Sequence, residues 1–203
     1  FDCRAVHYYP CNGTKSYKFK NGDIKQVYCE DMIKTLGQDI YRLLVSNCIN
    51  IQRHIVETTD CPLTGVFFDY RGSMLNWCPI GRLAGENERR RWIELDNEFN
   101  IRKTWMSHLK MMLKTHGVKN VSVKLGGNTS FDIFPAGWDK TYVLRNFKDS
   151  DEVYFIGDRC QDSGNDKELY DAIKLRMYGE SFETSGPSKT IDIIRKTILQ
   201  QTG

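Results

Sequence analysis

The stretch at residues 130–140, SFDIFPAGWDK, divides the chain into two parts with different patterns. Alternating apolar residues predict a strand up to Phe134, and Pro135 and Gly137 then interrupt it. Before the break, apolar runs come in pairs joined by short turns, which favours antiparallel hairpins. After the break, single apolar runs alternate with helical patterns, which is typical of a parallel sheet. The chain is therefore expected to form two domains of different class.

The part before the break predicts an α+β domain over residues 14–134, in which helices cover an antiparallel sheet. Asn21-Gly22 between two strand-like runs is a strong hairpin signal. A helical apolar pattern over residues 30–56 is expected to break near Gly37. Further strands are expected at 66–70, 73–79, 121–125 and 129–134, and helical residues at 86–116.

The part after the break predicts an α/β domain that is formed by residues 135–203 together with the opening strand in residues 1–13. A short helix over residues 140–147 leads to an apolar strand at 153–156. A helix from Asn165, a strand near Met177 and a final helix from Pro187 follow. This order predicts a parallel sheet with helices between its strands.

Composition excludes some classes of function. The chain has 29 basic and 26 acidic residues and a formal charge of +3, so it lacks the basic excess of a nucleic-acid or membrane-surface binder. Its apolar runs are shorter than the roughly 20 residues that a membrane span needs. We expect neither a nucleic-acid nor a membrane partner.

The cysteines predict a reducing compartment. They are odd in number, scattered and without C-x-x-C spacing, so neither a zinc site nor a disulfide framework is favoured. Free thiols in the cytoplasm are the expected state. The seven are Cys3, Cys11, Cys29, Cys48, Cys61, Cys78 and Cys160.

The strongest chemical feature is YFIGDRCQDSGND at residues 154–166. Ligands of parallel sheets bind beyond the carboxyl ends of strands, and Asp158 follows such an end. Asp158 can hold a cation there, with Asn165 and Asp166 supporting the loop. The competing interpretation is a turn former with acids at a helix start, and the stretch alone does not decide between them. Lys140 favours the first, because Mg²⁺ beside an ammonium suits phosphate chemistry.

Three ordered strings resemble signatures of one family. They are YRGSMLNWCPIGR at 70–82, GGNTSFDIFPAGWDK at 126–140 and GDRCQDSGND at 157–166. They are similar to eukaryotic-type phosphomannomutases of the haloacid dehalogenase (HAD) superfamily. The resemblance implies an α/β HAD-like core with a parallel sheet, incomplete here, and an α+β cap with an antiparallel sheet at 14–134. It also implies Mg²⁺, a hexose 1,6-bisphosphate activator, a hexose phosphate substrate and a homodimer formed through the cap.

The resemblance also implies roles for individual residues. The third and fourth motifs of the superfamily match Lys140, as a catalytic residue facing the transferred phosphoryl group, and Asp158, as a metal ligand. Asn165 and Asp166 would support that site. The substrate-binding residues of the cap would be Arg71, Arg82, Arg89, Ser130 and Asp132, converging on one face of its sheet.

The chain departs from the family pattern at several positions. Asn128 stands where the family has methionine, and Gly72-Ser73 replaces Asn-Gly, so sugar contacts could differ. The family's GGND appears as SGND at 163–166. A secondary cation site near Tyr170 is doubtful, because Asp171 is displaced by one position from the expected acid.

The family's Asp-x-Asp pair, which supplies the nucleophile and the general acid/base, is absent. Asp149-Ser150-Asp151 has the spacing but precedes a predicted strand, so we reject it. Either the chain is truncated, which we expect, or it is a homologue that has lost the pair. Three functions stay open. The first is a mutase that interconverts mannose 6-phosphate and mannose 1-phosphate for GDP-mannose synthesis. The other two are a sugar-phosphate phosphatase and a non-catalytic sugar-phosphate-binding module.

The cap's large apolar residues allow two interpretations. Some of them could form a dimer interface, as the resemblance implies, or all of them could fill the cap's own core. They are Trp77, Trp92, Trp105, Met111 and Met112.

Overall fold

The computed structural model describes residues 6–161 and 164–201. The chain separates into two compact units, Phe1–Trp138 and Asp139–Gly203. The first unit holds two antiparallel sheets, and the second holds a small parallel sheet. The predicted α/β and α+β fold class is therefore confirmed, while the domain assignment as a whole stays a prediction.

The first unit opens with a three-stranded antiparallel sheet of order β1-β2-β3. At the predicted hairpin, Asn21 and Gly22 have φ of 55° and 80°, the left-handed values of a tight type I′ turn. The strands are β1 (His7–Tyr8), β2 (Lys15–Lys20) and β3 (Asp23–Cys29).

Strand β1 differs from expectation. It was predicted as a buried strand of the parallel sheet, but it pairs antiparallel with β2, in the register His7 with Lys18 and Tyr8 with Tyr17. The physical reason is exposure: both of its residues face solvent, as suits the edge of a hairpin sheet and not the interior of a parallel one.

Two helices follow the hairpin, α1 (Met32–Leu36) and α2 (Gln38–Thr58). They are separated at Gly37, whose φ of 86° confirms the predicted break. Asp31 caps α1 by accepting a hydrogen bond from the Lys34 backbone N–H at 2.9 Å. The apolar face of α2 is buried, with Leu44 and Cys48 fully enclosed.

The second antiparallel sheet of this unit has the order β4-β5-β7-β6. Its strands are β4 (Phe68–Tyr70), β5 (Leu75–Trp77), β6 (Val121–Gly126) and β7 (Ser130–Pro135). Between β5 and β6 lie two helices, α3 (Glu86–Phe99) and α4 (Ile101–Thr115), which are separated at Asn100 in the left-handed conformation.

Aromatic stacking builds the apolar side of this sheet. Trp77 lies with its ring centroid 4.4 Å from Phe131 and 6.3 Å from Phe68, nearly parallel to both. Its indole N–H donates to Gln52 of α2 at 2.8 Å, so the ring is buried without an unpaired polar atom. Because neighbouring residues of a strand point to opposite faces, the side chains next to these rings in sequence lie on the other face.

The second unit begins with a 3₁₀ helix, Lys140–Asn146, capped by the Asp139 side chain. Two parallel strands, β8 (Val153–Gly157) and β9 (Gly179–Glu183), are joined by α5 (Lys167–Lys174), as the strand–helix alternation predicted. Buried Leu169 and Ile173 pack α5 onto the strands. Helix α6 (Pro187–Ile193), a π-helical turn (Ile194–Ile198) and α7 (Leu199–Gln201) complete the unit.

Candidate functional site

A row of polar side chains crosses one face of the four-stranded sheet. The strand register pairs Asp69 with Asn76, Asn76 with Asp132, and Asp132 with Lys124. Directly paired residues point to the same face, so these four side chains form one line on the face opposite to the stacked aromatic rings. A polar surface on a sheet whose other face is a packed core is a suitable place for a ligand.

Two of the predicted arginines meet at one end of this row. The same oxygen of Asp69, Oδ2, lies 2.9 Å from Arg71 Nε and 3.3 Å from Arg82 Nε. Both guanidinium groups are partly exposed, and the shared carboxylate compensates for their mutual repulsion. Arg82 also donates from Nη1 to Asn76 Oδ1 at 2.7 Å. The structure therefore brings Arg71 and Arg82 together, and their role in binding substrate stays a prediction.

Arg89 is held differently. Its Nε donates to the Ala84 carbonyl at 2.9 Å, its Nη2 to the Arg82 carbonyl at 3.1 Å, and its Nη1 to Thr129 Oγ1 at 3.3 Å. The guanidinium thus connects the loop after β5 with the turn between β6 and β7. Arg89 lies beside Arg82, as predicted, but these contacts are with the protein's own main chain and turn.

Ser130 and Asp132 lie two positions apart on β7 and so on the same face. Asp132 Oδ1 accepts from Asn76 Nδ2 at 2.7 Å. Gly126 on β6 leaves room for this carboxylate, because a Cβ there would stand 2.8 Å from its atoms. Asp132 is thus connected to Arg82 through Asn76. Ser130, the first residue of β7, is buried, with 6% of its surface exposed.

Three residues of this region were missed by the sequence reasoning. Asp69 and Asn76 carry the arginine contacts, and the available signal was the alternation itself, since each is a polar residue flanked by apolar ones. Arg102 forms a buried ion pair with Asp96 at 2.7 Å and donates to the Gly127 carbonyl at 3.0 Å, which supports the β6–β7 turn.

In the second unit, Asp166 is the centre of the predicted loop. Its Oδ1 accepts from Lys140 Nζ, and its Oδ2 accepts from the backbone N–H groups of Asp158 and Arg159 at 3.2 and 3.1 Å. The Asp166 N–H in turn donates to the Arg159 carbonyl at 3.1 Å. Lys140 and the strand end that carries Asp158 are therefore brought together by one carboxylate.

This environment lowers the pKa of Asp166 below its usual value. Burial of the carboxyl acts in the opposite direction, but the Lys140 ammonium and the hydrogen bonds outweigh it. Nearby, burial raises the pKa of the Cys160 thiol, and the carboxylates of Asp166, Glu183 and Asp158 add to that rise. The thiol therefore stays protonated at neutral pH.

Asp158 and Asn165 are both exposed, Asp158 directly after β8 and Asn165 in the turn before α5. Asp158 is thus an accessible carboxylate at a strand end, as predicted. Across residues 6–161 and 164–201, no group of three or more His, Cys, Asp or Glu side chains is placed to hold a metal ion. Among the described residues of this loop, Asp158 could hold a cation as a single carboxylate, since Asp166 is already engaged with Lys140.

Two other acidic features of the second unit, Asp171 and Asp149-Ser150-Asp151, have partners within the protein. Asp171 forms an ion pair with Lys167, one turn earlier on α5, at 2.6 Å. The partner that the structure gives this carboxylate is therefore a lysine side chain, and not a metal ion near Tyr170. Asp149-Ser150-Asp151 forms a turn that precedes β8, in which Asp151 accepts from the Lys148 N–H at 2.8 Å.

Some residues of the predicted features, in the loop after β8 and near the start of the chain, are not described by the structure. Ser163 of the SGND stretch and Cys3 lie outside the described residues. The other six cysteines are free thiols. Within the described part of the chain, no helix combines the length and the apolar character that crossing a bilayer requires.

We expect Asp166→Asn to destabilise the chain at neutral pH by about 2 kcal/mol, because Lys140 loses a charged hydrogen-bond partner. Since the pKa of Asp166 is lowered on folding, its contribution is complete above the unfolded-state pKa and is lost as pH falls through the folded-state pKa. The difference between wild type and variant in thermal unfolding should therefore shrink below about pH 4.

The control for this comparison is Asp171→Asn, which removes an exposed carboxylate from an i,i+4 pair on α5. It should change stability by only a few tenths of a kcal/mol. Equal losses in Asp166→Asn and Asp171→Asn, or a difference that does not depend on pH, would contradict the central role of Asp166.

Comparison with known proteins identifies the family to which the chain is similar. The eukaryotic phosphomannomutase family model matches residues 5–200. A phosphomannomutase of Schizosaccharomyces pombe is 33% identical over 188 residues, 91% of this chain and 67% of its own length. Phosphomannomutase 2 of Dictyostelium discoideum is 35% identical over 90% of this chain and 69% of its own length. The Arabidopsis thaliana phosphomannomutase is 35% identical, and the chain covers 62% of its length.

Among solved structures, an IMP-nucleotidase mutant of Plasmodium falciparum has a TM-score of 0.58 with 11% sequence identity. It is matched over 98% of this chain and 49% of its own. A truncated form of the same nucleotidase has a TM-score of 0.52. At this identity the likeness concerns the fold alone. The chain spans about two thirds of the length of its phosphomannomutase relatives and about half of these structures.

Proposed function

The chain belongs to the eukaryotic phosphomannomutase family, and we propose that the protein interconverts mannose 6-phosphate and mannose 1-phosphate for GDP-mannose synthesis. The observation that carries the proposal is the pair of guanidiniums, Arg71 and Arg82, held side by side on Asp69. Both use Nε for the carboxylate, which leaves terminal nitrogens to bind a phosphate. Their positions also match the family's arginines.

In this proposal the first unit binds the sugar phosphate. Arg71 and Arg82 neutralise the phosphate that is not being transferred, because planar guanidiniums donate to phosphate oxygens in pairs. Arg89 lies beside this pair of arginines, on the side of the β6–β7 turn. The Asp132 carboxylate accepts a hydrogen bond from a sugar hydroxyl, and the Ser130 hydroxyl accepts or donates one, which fixes the orientation of the sugar. A mutase must bind its intermediate in two orientations, and a phosphate at either end of a bisphosphate suits the same arginines.

The second unit handles the transferred phosphoryl group. Lys140 supplies positive charge to the phosphoryl oxygens, and Asp166 holds that ammonium in place. The proposed cofactor is Mg²⁺, for which Asp158 provides a hard oxygen ligand and which would supply further neutralisation of the phosphoryl group. Asn165 and Asp166 order the loop around it. A single carboxylate is a weak ligand for this ion, so we expect the chain alone to bind Mg²⁺ weakly.

The chemistry also needs a carboxylate nucleophile. In the proposed reaction an aspartyl-phosphate transfers its phosphoryl group to the free hydroxyl of the hexose monophosphate, and the hydroxyl proton goes to a second carboxylate. The hexose 1,6-bisphosphate formed then returns the phosphoryl group at its other end to the aspartate. The leaving sugar oxygen takes the proton back, so the isomeric monophosphate is released and the aspartyl-phosphate is restored. Asp149-Ser150-Asp151 does not supply this pair, because it lies in the turn before β8. The proposed activity is therefore that of the intact protein.

We propose a cytoplasmic homodimer that is formed through the first unit. Trp77 and Trp92 do not contribute to such an interface, because both are fully buried in that unit's own core. Of the other predicted interface residues, Met111 is 60% exposed. Val66 and Leu83 are 50% and 70% exposed, and the Val66 carbonyl accepts from the Arg82 N–H at 3.1 Å. These two residues form an apolar surface that a second copy could cover.

An activity assay tests the proposed function. The intact protein is incubated with mannose 6-phosphate, Mg²⁺ and a trace of hexose 1,6-bisphosphate. We expect mannose 1-phosphate to form without net release of phosphate. Steady release of phosphate would instead identify a phosphatase, and sugar-phosphate binding without turnover would identify a non-catalytic module.

Substitution of Arg82 by lysine tests the location of the sugar-phosphate site. Arg82→Lys keeps the charge but removes the planar fork, so mannose 1-phosphate should bind about tenfold more weakly in isothermal titration while the fold is retained. Arg90→Lys, one position after Arg89 and exposed on α3, is the control and should bind like wild type. Equal affinities for wild type and Arg82→Lys would place the substrate elsewhere.

Sedimentation at micromolar concentration tests assembly, and we expect a dimer. Val66→Asp should shift the equilibrium to monomer, because a charge cannot be buried unpaired. The fold should tolerate this change, since Val66 has a φ of 51° and aspartate accepts left-handed geometry better than valine. Ile24→Asp, exposed on β3, should leave the dimer intact, and a monomeric wild type would refute the proposal.

A further inference from the structure

Asn76 is a buried polar residue in the middle of the four-stranded sheet of the first unit. It is 4% exposed, between Leu75 and Trp77, which are 1% and 0% exposed. A buried amide has to be compensated by hydrogen bonds, because its transfer from water is otherwise costly. Asn76 meets this requirement on the polar face of β5, where it lies between two residues of the proposed sugar-phosphate site.

The Asn76 amide joins a cation to an anion. Its Oδ1 accepts from Arg82 Nη1 at 2.7 Å, and its Nδ2 donates to Asp132 Oδ1 at 2.7 Å. A side-chain amide can accept from a guanidinium with its oxygen and donate to a carboxylate with its nitrogen. Its two partners therefore also determine the orientation of the amide.

This bridge keeps Arg82 and Asp132 from forming a direct ion pair. If the amide were absent, the guanidinium and the carboxylate would be neighbours on one face, and their attraction in a partly buried setting would favour contact. Asp69 holds Arg82 from the other side, at Nε. Two nitrogens of the guanidinium are thus fixed, and the third, Nη2, has no hydrogen-bond partner among residues 6–161 and 164–201.

We propose that Asn76 is a positioning residue for sugar-phosphate binding. It separates Arg82 from Asp132 and orients both, so that the guanidinium is available to the phosphate and the carboxylate to the sugar. The identity of the ligand rests on the proposed function. The positioning of Arg82 by Asn76 is a property of the protein that can be measured without any ligand.

A purely structural role is the alternative, and the chain offers a matched control for it. Gln52 on α2 also makes two amide hydrogen bonds, accepting from Trp77 Nε1 at 2.8 Å and donating to the Pro79 carbonyl at 2.8 Å. It contacts Trp77, whose side chain lies on the opposite face of the sheet from Asn76. Replacing Gln52 removes these two hydrogen bonds, and replacing Asn76 removes those with Arg82 and Asp132 together with a longer one to the Phe131 carbonyl at 3.5 Å. Only Asn76 touches the proposed site.

The experiment compares the 203-residue chain with Asn76→Leu, Asn76→Asp and Gln52→Met. The first readout is the affinity for mannose 1-phosphate by isothermal titration. The second is the Nε–Hε resonance of Arg82 in ¹⁵N NMR spectra of the ligand-free chain, which reports whether the guanidinium is held. Asn76→Asp keeps the side-chain size and the acceptor for Arg82, and it serves as the second variant if Asn76→Leu does not fold.

We expect Asn76→Leu to weaken mannose 1-phosphate about tenfold or more and to shift or broaden the Arg82 resonance. Asn76→Asp should weaken binding to a similar extent, because it places a carboxylate against Asp132, while the Arg82 resonance stays sharp. Gln52→Met should lower the melting temperature and leave affinity and resonance as in wild type.

Wild-type affinity in both Asn76 variants would overturn the inference, as would equal losses of affinity in Gln52→Met. If the wild-type chain binds no mannose 1-phosphate, the sugar-phosphate site proposed for the first unit fails and the NMR arm decides the inference alone. An Arg82 resonance that Asn76→Leu leaves unchanged would then refute the positioning role, and a changed resonance would support it.

Discussion

The stack of Trp77 on Phe131, with ring centroids 4.4 Å apart, is the contact on which the proposed binding site depends. It sets the register of β5 against β7, and that register places Asn76 opposite Asp132 on the other face. Side chains alternate along a strand, so a slip of one residue would bury the polar row and expose the rings. Apolar packing on one face thus determines the arrangement of charges on the other.

In the second unit a single carboxylate has the corresponding role. Asp166 lies at the start of α5 and accepts from Lys140 and from two backbone N–H groups of the loop after β8. Because Asp166 is buried, loss of Lys140 would leave its charge without a counter-ion, and loss of the backbone donors would leave one of its oxygens unsatisfied. The carboxylate therefore couples the loop to the lysine. Both units therefore use an acid to hold a cation in place: Asp69 holds the guanidiniums, and Asp166 holds the ammonium.

Local signals in the sequence predicted most of the elements. Asn21-Gly22, Gly37 and the alternation after Pro135 were enough, because turn chemistry and periodicity act over a few residues. The predictions that failed or were missing depend on contacts between distant residues. The pairing of β1 with β2 and the Asn76 bridge to Arg82 and Asp132 are set by register across strands, which no short window contains. Family resemblance located Arg82 and Asp132 but not the amide between them.

Gly72, Ser73 and Asn128, the positions at which the chain departs from the family pattern, have different surroundings in the structure. Gly72 has a φ of 82°, a value that glycine adopts without strain, and its carbonyl accepts from the Met32 N–H at 2.8 Å. Ser73 is 1% exposed and accepts from Thr14 Oγ1 at 2.6 Å. Both residues thus connect the sheet to the hairpin and to α1. In this chain the Gly72 and Ser73 positions serve this connection, whereas Asn128 is exposed in the β6–β7 turn beside Thr129 and Ser130, where a ligand could reach it.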